Sequence, residues 1–286
     1  MSLPHPGPES HSSLNSSGWS WSELPNSRIV FWIVLLLGMV LAWMLAHTED
    51  DAFITFRYSK HLAEGLGPVW NVSDATPVEG YTNFLWMILM AIPHWLGISV
   101  VVFSTVVGIL FYGLNLWFSW KLIQRFFEVG LVRLAVLLGI ALNYTLLGYA
   151  TGGLETAMNG ALCTGFFYVV IRGMDMISSG AEGGSLLKTL LGISFIAGLM
   201  FLSRNDNALF ILLGSGWLAF GLMRRGRLSG KNILSLLIPA LLIGAGFLLW
   251  RGSYYGELLP NTFFAKSSGW EWKDGIRYLG SFFLVY

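Results

Sequence analysis

Apolar residues run from 29 to 46 with hardly a break, give way to a mixed stretch, and return as blocks at 100–123, 131–147, 154–171, 187–202, 208–223 and 232–250. About 20 such residues carry a helix across the hydrocarbon core of a bilayer, so the pattern predicts seven membrane-spanning helices. Several blocks are short, and their helices must take in polar residues at their ends. A further apolar segment opens at Ile276 and the sequence stops at Tyr286; it reads as the start of another span, too short to cross. The first block is long for a secretory leader, and Met44-Leu45-Ala46 lacks a small residue two positions before the last Ala, so an uncleaved first span is expected.

The segment 81–98 is also apolar, but Pro93-His94 interrupts it and Asn83 sits near its start. Orientation decides its role, because Lys and Arg in short loops stay on the cytoplasmic side. If 81–98 lies on the outer surface as an amphipathic or re-entrant helix, ten of the 17 basic residues fall inside, the Arg224-Arg225-Gly226-Arg227 cluster among them. If it spans, every later loop flips and the inner total drops to six. The surface arrangement is therefore expected. It gathers Glu49-Asp50-Asp51, Glu79, Gly152-Gly153-Leu154-Glu155-Thr156, Ser203-Arg204-Asn205-Asp206-Asn207 and residues 251–266 on the exterior face.

Composition agrees with the pattern: hydrophobic residues fill 55% of the 286 positions and charged ones 12%, and the mean hydropathy is +0.63. Such a balance belongs to an all-α polytopic membrane protein. A net charge of +1 gives no case for nucleic-acid binding. Cys163 stands alone, and His47 and His94 form no ligand spacing, so neither a disulfide nor a metal site is expected. No phosphate-binding loop, dinucleotide glycine pattern or nucleophile elbow is visible, and no cofactor is expected. Residues 1–27, rich in Ser, Pro, Gly and Asn, read as a disordered cytoplasmic tail.

A carboxylate pair where a membrane helix meets water is costly, which makes Asp50 and Asp51 candidate catalytic residues. The competing reading is a helix start, with Thr48, Glu49 and Asp50 capping and complementing the dipole. Arg57, Arg204, Arg251 and Lys266 come from four exterior segments beside spans. Converging, they would clamp the phosphate of a lipid carrier; singly, each suits headgroup contact or snorkelling. Glu155 follows the turn Thr151-Gly152-Gly153, which serves either capping or substrate contact. The run Tyr254-Tyr255-Gly256-Glu257-Leu258-Leu259-Pro260-Asn261-Thr262 suits sugar stacking and equally an interfacial aromatic belt.

Together these motifs resemble the GT-C superfamily of membrane glycosyltransferases, most of all the bacterial branch that includes the terminal arabinofuranosyltransferase of the mycobacterial cell wall. The matching pieces are Asp50-Asp51-Ala52-Phe53-Ile54-Thr55-Phe56-Arg57-Tyr58, Val78-Glu79-Gly80-Tyr81-Thr82-Asn83-Phe84-Leu85-Trp86, Gly153-Leu154-Glu155-Thr156 and Tyr254-Tyr255-Gly256, followed by Leu259-Pro260-Asn261-Thr262-Phe263-Phe264-Ala265-Lys266. Within and beside them, Arg57, Glu79, Tyr81, Asn83, Glu155, Arg204, Asp206, Arg251, Tyr255, Asn261 and Lys266 are the candidate substrate-binding residues.

The resemblance implies a transmembrane module, taken here as 28–275, with juxtamembrane helices in the first exterior loop; the apolar segment at 276–286 is the incomplete further helix expected after it. It also implies a polyprenyl-phosphate-linked sugar donor, a glycan, lipid or protein acceptor of the cell envelope, and membrane lipids as the other partners. An aspartate of the first exterior loop would be the base, carried over to Asp50 with Asp51 as its partner, and a single displacement would invert the sugar. The location implied is a bacterial inner membrane, the site facing the exterior or periplasm. Relatives usually carry more spans and often a soluble exterior domain, which implies a longer protein. The alternative is a transporter or lipid-carrier flippase, whose polar residues would line a path near the midplane.

Overall fold

The computed structural model describes residues 27–73, 76–180, 183–266 and 272–285. The tail expected at 1–27 lies outside these residues but for Ser27, which begins the first helix. Among the described residues the structure is helical without strands. Five helices among the described residues are long and apolar enough to cross a membrane: α5 (Val100–Phe126), α8 (Thr156–Ser178), α9 (Gly184–Ser203), α10 (Ala208–Arg224, extended by a 3-10 turn at Asn205–Asn207) and α11 (Gly230–Tyr255). The pair α6 (Gly130–Ala141) and α7 (Tyr144–Thr151) makes a sixth, bent by 45°. Helix α1 (Ser27–Met44) is the remaining predicted span, and its 18 residues rise roughly 27 Å.

The bend replaces the straight helix expected at 131–147. Asn143 accepts the Leu146 N–H at 3.0 Å and starts a new helix there, a local cap that competes with continuation. The α7 backbone then packs so closely on α5 that a Cβ on Gly108 would collide with the Ala150 carbonyl.

Two packed groups result. α1, α5, α6 and α7 close around Phe31, Leu35, Tyr112, Leu116, Leu137 and Leu147. α8, α9, α10 and the first half of α11 close around Phe166, Val170, Leu190, Ile193, Leu218 and Leu236. Thr164 on α8 donates to Asn115 on α5 at 2.8 Å, joining the groups. The outer faces of α10 and α11 leave Leu212, Leu213, Leu241, Leu242 and Leu249 exposed, as contact with lipid requires.

Between α1 and α5 lies the loop that matters most. It carries α2 (Ala52–Ala63), α3 (Phe84–Leu89) and α4 (Ala91–Leu96). At 1.5 Å per residue, α3 and α4 together reach only about 20 Å, short of the roughly 30 Å hydrocarbon core, and Trp86, Met87, Met90 and Ala91 of this segment are buried. Near the C-terminal end of the described chain stand α12 (Asn261–Lys266) and α13 (Trp272–Val285); α13 begins before the apolar segment expected from Ile276.

Candidate functional site

The span ends meet in pairs, and side-chain bonds show which ends lie together. Glu155, at the α7–α8 junction, accepts from Arg204 NH1 at 3.0 Å, at the α9–α10 junction. Arg251, near the end of α11, donates to Asn205 Oδ1 at 3.1 Å and to Glu79 of the first loop at 3.0 Å. The Glu49 N–H donates to the Gly152 carbonyl at 2.9 Å. The polar motifs separated along the sequence thus collect at one end of the bundle. At the opposite end Arg125 pairs with Asp175 at 3.1 Å and Arg227 donates to the Ile177 carbonyl at 3.3 Å.

Gly153 is the pivot of the polar end. Its φ of +79° is left-handed, and a Cβ there would meet the Ala52 Cβ at 2.8 Å and the Phe56 Cζ at 3.1 Å, so glycine lets α2 settle onto the α7–α8 turn. Trp86 seals the contact from α3 by donating Nε1–H to the Gly153 carbonyl at 2.9 Å.

Above this floor opens a cleft of about 920 Å³. One wall is the start of α2, with Asp51, Ile54 and Thr55; the next is Gly80 to Asn83. Tyr149, Leu154, Glu155 and Thr156 form the floor, Arg204, Asn205 and Asp206 the third wall, and Leu259, Pro260, Thr262 and Phe263 the fourth. Polar side chains link the walls. Thr55 and Asn83 exchange bonds at 3.2–3.3 Å, Asn83 donates to Glu155 Oε2 at 2.8 Å, and Arg204 bridges Glu155 Oε1 to Asp206. Arg204 spends Nε and one NH2 hydrogen on Asp206 and one NH1 hydrogen on Glu155, which leaves two of its five N–H groups.

The expected catalytic pair separates. Asp51 stands at the N-cap of α2 yet makes no side-chain cap bond, and it lines the cleft. Asp50 is not among the lining residues; its Oδ1 accepts the Asp51 N–H at 2.9 Å. The resemblance carried the base over to Asp50, and a motif match alone does not show which neighbour a helix start turns inward.

The three described cations of the expected clamp have different surroundings. Only Arg204 of the three described side chains lines the cleft. Arg57 donates to the Trp70 carbonyl at 2.8 Å and Asn71 Oδ1 at 3.2 Å, its guanidinium 4.3 Å over the Trp70 ring. Arg251 is buried against Glu79, and the Lys266 side chain lies outside the described residues. Tyr81 lines the cleft, and its hydroxyl meets that of Tyr255 at 3.1 Å, while Tyr255 donates to the Pro68 carbonyl at 2.6 Å; burial first, then Tyr255, raises the Tyr81 phenol well above 10.0. Asn261 contributes its backbone, donating to the Glu79 carbonyl at 3.2 Å.

Tyr149, Thr82, Thr156, Thr262 and Phe263 were not singled out from the sequence although they line the cleft. All but Tyr149 lie inside quoted motifs, a signal that was there to use. No group of three or more His, Cys, Asp or Glu side chains suited to a metal occurs among the described residues.

No protein-family profile and no solved structure matches the chain. Two curated proteins do. The terminal β-(1→2)-arabinofuranosyltransferase of Mycobacterium tuberculosis is 24% identical over 275 residues, covering 89% of this chain and 41% of that protein. Its namesake from Corynebacterium glutamicum is 25% identical over 307 residues, covering 96% and 42%. The chain resembles both and spans about two-fifths of their length.

Proposed function

We propose that the cleft transfers a sugar from a polyprenyl-phosphate carrier to a hydroxyl of a cell-envelope acceptor, at the exterior face of a bacterial inner membrane, with Asp51 as the base. The observation that carries this reading is the cleft itself, where an uncapped carboxylate and a partly committed guanidinium line one cavity at the polar end of the bundle. Glycosyl transfer is supported by the similarity to two arabinofuranosyltransferases, which also makes an arabinofuranosyl group the first sugar to test. The exterior orientation is supported by the basic residues at the far end.

The acceptor hydroxyl passes its proton to the Asp51 carboxylate as its oxygen attacks the anomeric carbon. The bond from that carbon to the phosphate oxygen breaks, and its electron pair leaves with the polyprenyl phosphate. The two uncommitted N–H groups of Arg204 meet the charge growing there. One displacement inverts the anomeric centre. Asp50 steadies the start of α2 through the Asp51 N–H, which exchanges the two roles carried over from the motif.

The test is transfer by membranes containing the full chain, given a panel of radiolabelled polyprenyl-phosphate sugars with arabinofuranose first. Label is expected to move to an endogenous glycan or added glycoside acceptor. Label that stays on the carrier for every sugar in the panel contradicts the proposal.

A further inference from the structure

We infer that Glu79 and Arg251 are positioning residues, a buried ion pair that sets the spacing of three cleft walls without touching the substrate. Only the kinetic arm of the test below rests on the proposed transfer reaction.

Arg251 and Glu79 have side chains 1% and 2% exposed, and neither lines the cleft. The Arg251 guanidinium lies 4.4 Å over the Phe247 ring on its own helix. Its Nε sits 3.0 Å from Glu79 Oε2 and its NH2 donates to Oε1 at 3.0 Å. NH1 reaches Asn205 Oδ1 at 3.1 Å and the Leu258 carbonyl at 3.2 Å. The Glu79 carbonyl in turn accepts the Asn261 N–H at 3.2 Å.

The hydrogen-bond partners of this pair line the cavity or adjoin its lining residues in sequence. Glu79 precedes the wall formed by Gly80 to Asn83. Asn205 sits between Arg204 and Asp206, while Leu258 and Asn261 flank Leu259 and Pro260. One planar fork therefore holds the first loop, the α9–α10 junction and the segment after α11 in a fixed relation, which a point charge cannot reproduce.

A gain in stability is weak grounds for keeping such a pair. Burial raises the Glu79 carboxyl above 4.5 despite Arg251, in line with the rule that buried ion pairs seldom add net stability. Arg251 is the ionisable group that acts on the Glu79 carboxyl. The folded chain keeps the Glu79 proton at pH values where the unfolded chain has released it, so its contribution to stability falls as pH rises from 4.5 through the raised value. Glu79→Gln removes the counter-charge of a buried guanidinium and is expected to melt below the native chain, whereas Arg251→Lys keeps the charge and loses only the planar fork.

Spin labels on the exposed Val78 and Glu257, in a Cys163→Ser background, read the distance between two walls. A narrow distribution is expected for the native pair and a broad one for Glu79→Gln and Arg251→Lys. In the same variants the KM for the donor should rise several-fold while kcat falls little. Unchanged distances in both variants overturn the inference whether or not transfer is detectable, and broadened distances with an unchanged donor KM overturn the positioning role. Absence of transfer by the native chain counts against the proposed function and leaves the distances to decide this one.

Discussion

Arg57 and Arg204 both carry a guanidinium at the polar end of the bundle, and the sequence gives no way to tell them apart. Their surroundings do. Arg57 is spent on Trp70 and Asn71, whereas Arg204 lines the cleft with two N–H groups to offer. Charge-assisted hydrogen bonds are worth about 1.5–3 kcal/mol, so Arg204→Gln is expected to raise the donor KM on the order of tenfold or more. Arg57→Gln should leave it within about twofold, the range of a surface change. Steady-state kinetics with varied donor checks both; equal effects would return Arg57 to the site. Residue type and position were legible in Asp50, Asp51 and the arginines. Which of them faces inward was not, because a one-residue rotation at a helix start exchanges their environments.

Among the elements, the α7–α8 turn shows how far a local motif reaches. Gly153-Leu154-Glu155-Thr156 reads as a glycine turn before a helix, and it is one. The close approach of α2 and Trp86 to that turn is tertiary and left no periodic trace. Gly153→Ala must hold a left-handed φ, which costs an L-residue roughly 1–2 kcal/mol, and must also push Ala52 aside. The expected result is a lower melting temperature in detergent together with reduced transfer, since Asp51 adjoins the displaced residue. An unchanged melting temperature would show that the turn adapts. The break between α6 and α7 escaped the hydropathy pattern because Leu142 and Asn143 barely dent a run of apolar neighbours, and only the Asn143 cap reveals it.

At the scale of the whole molecule, hydropathy and the placement of Lys and Arg anticipated an all-α membrane bundle with its polar motifs at one end, because both follow from the bilayer acting as solvent. The same count led to the expectation that 81–98 does not span, and the two short helices found there are consistent in length. The cleft did not, since it depends on four wall segments whose spacing is set by bonds between residues as far apart as Glu79 and Arg251. The proposed function places the acceptor proton on Asp51 in this cleft. The most direct measurement is the initial rate of label transfer by Asp51→Asn and Asp50→Asn beside the native chain, at matched membrane content. Removing a general base costs roughly 10²–10⁴-fold, so Asp51→Asn is predicted to fall by that factor while Asp50→Asn keeps a substantial part of the native rate. A near-native rate for Asp51→Asn would contradict the account.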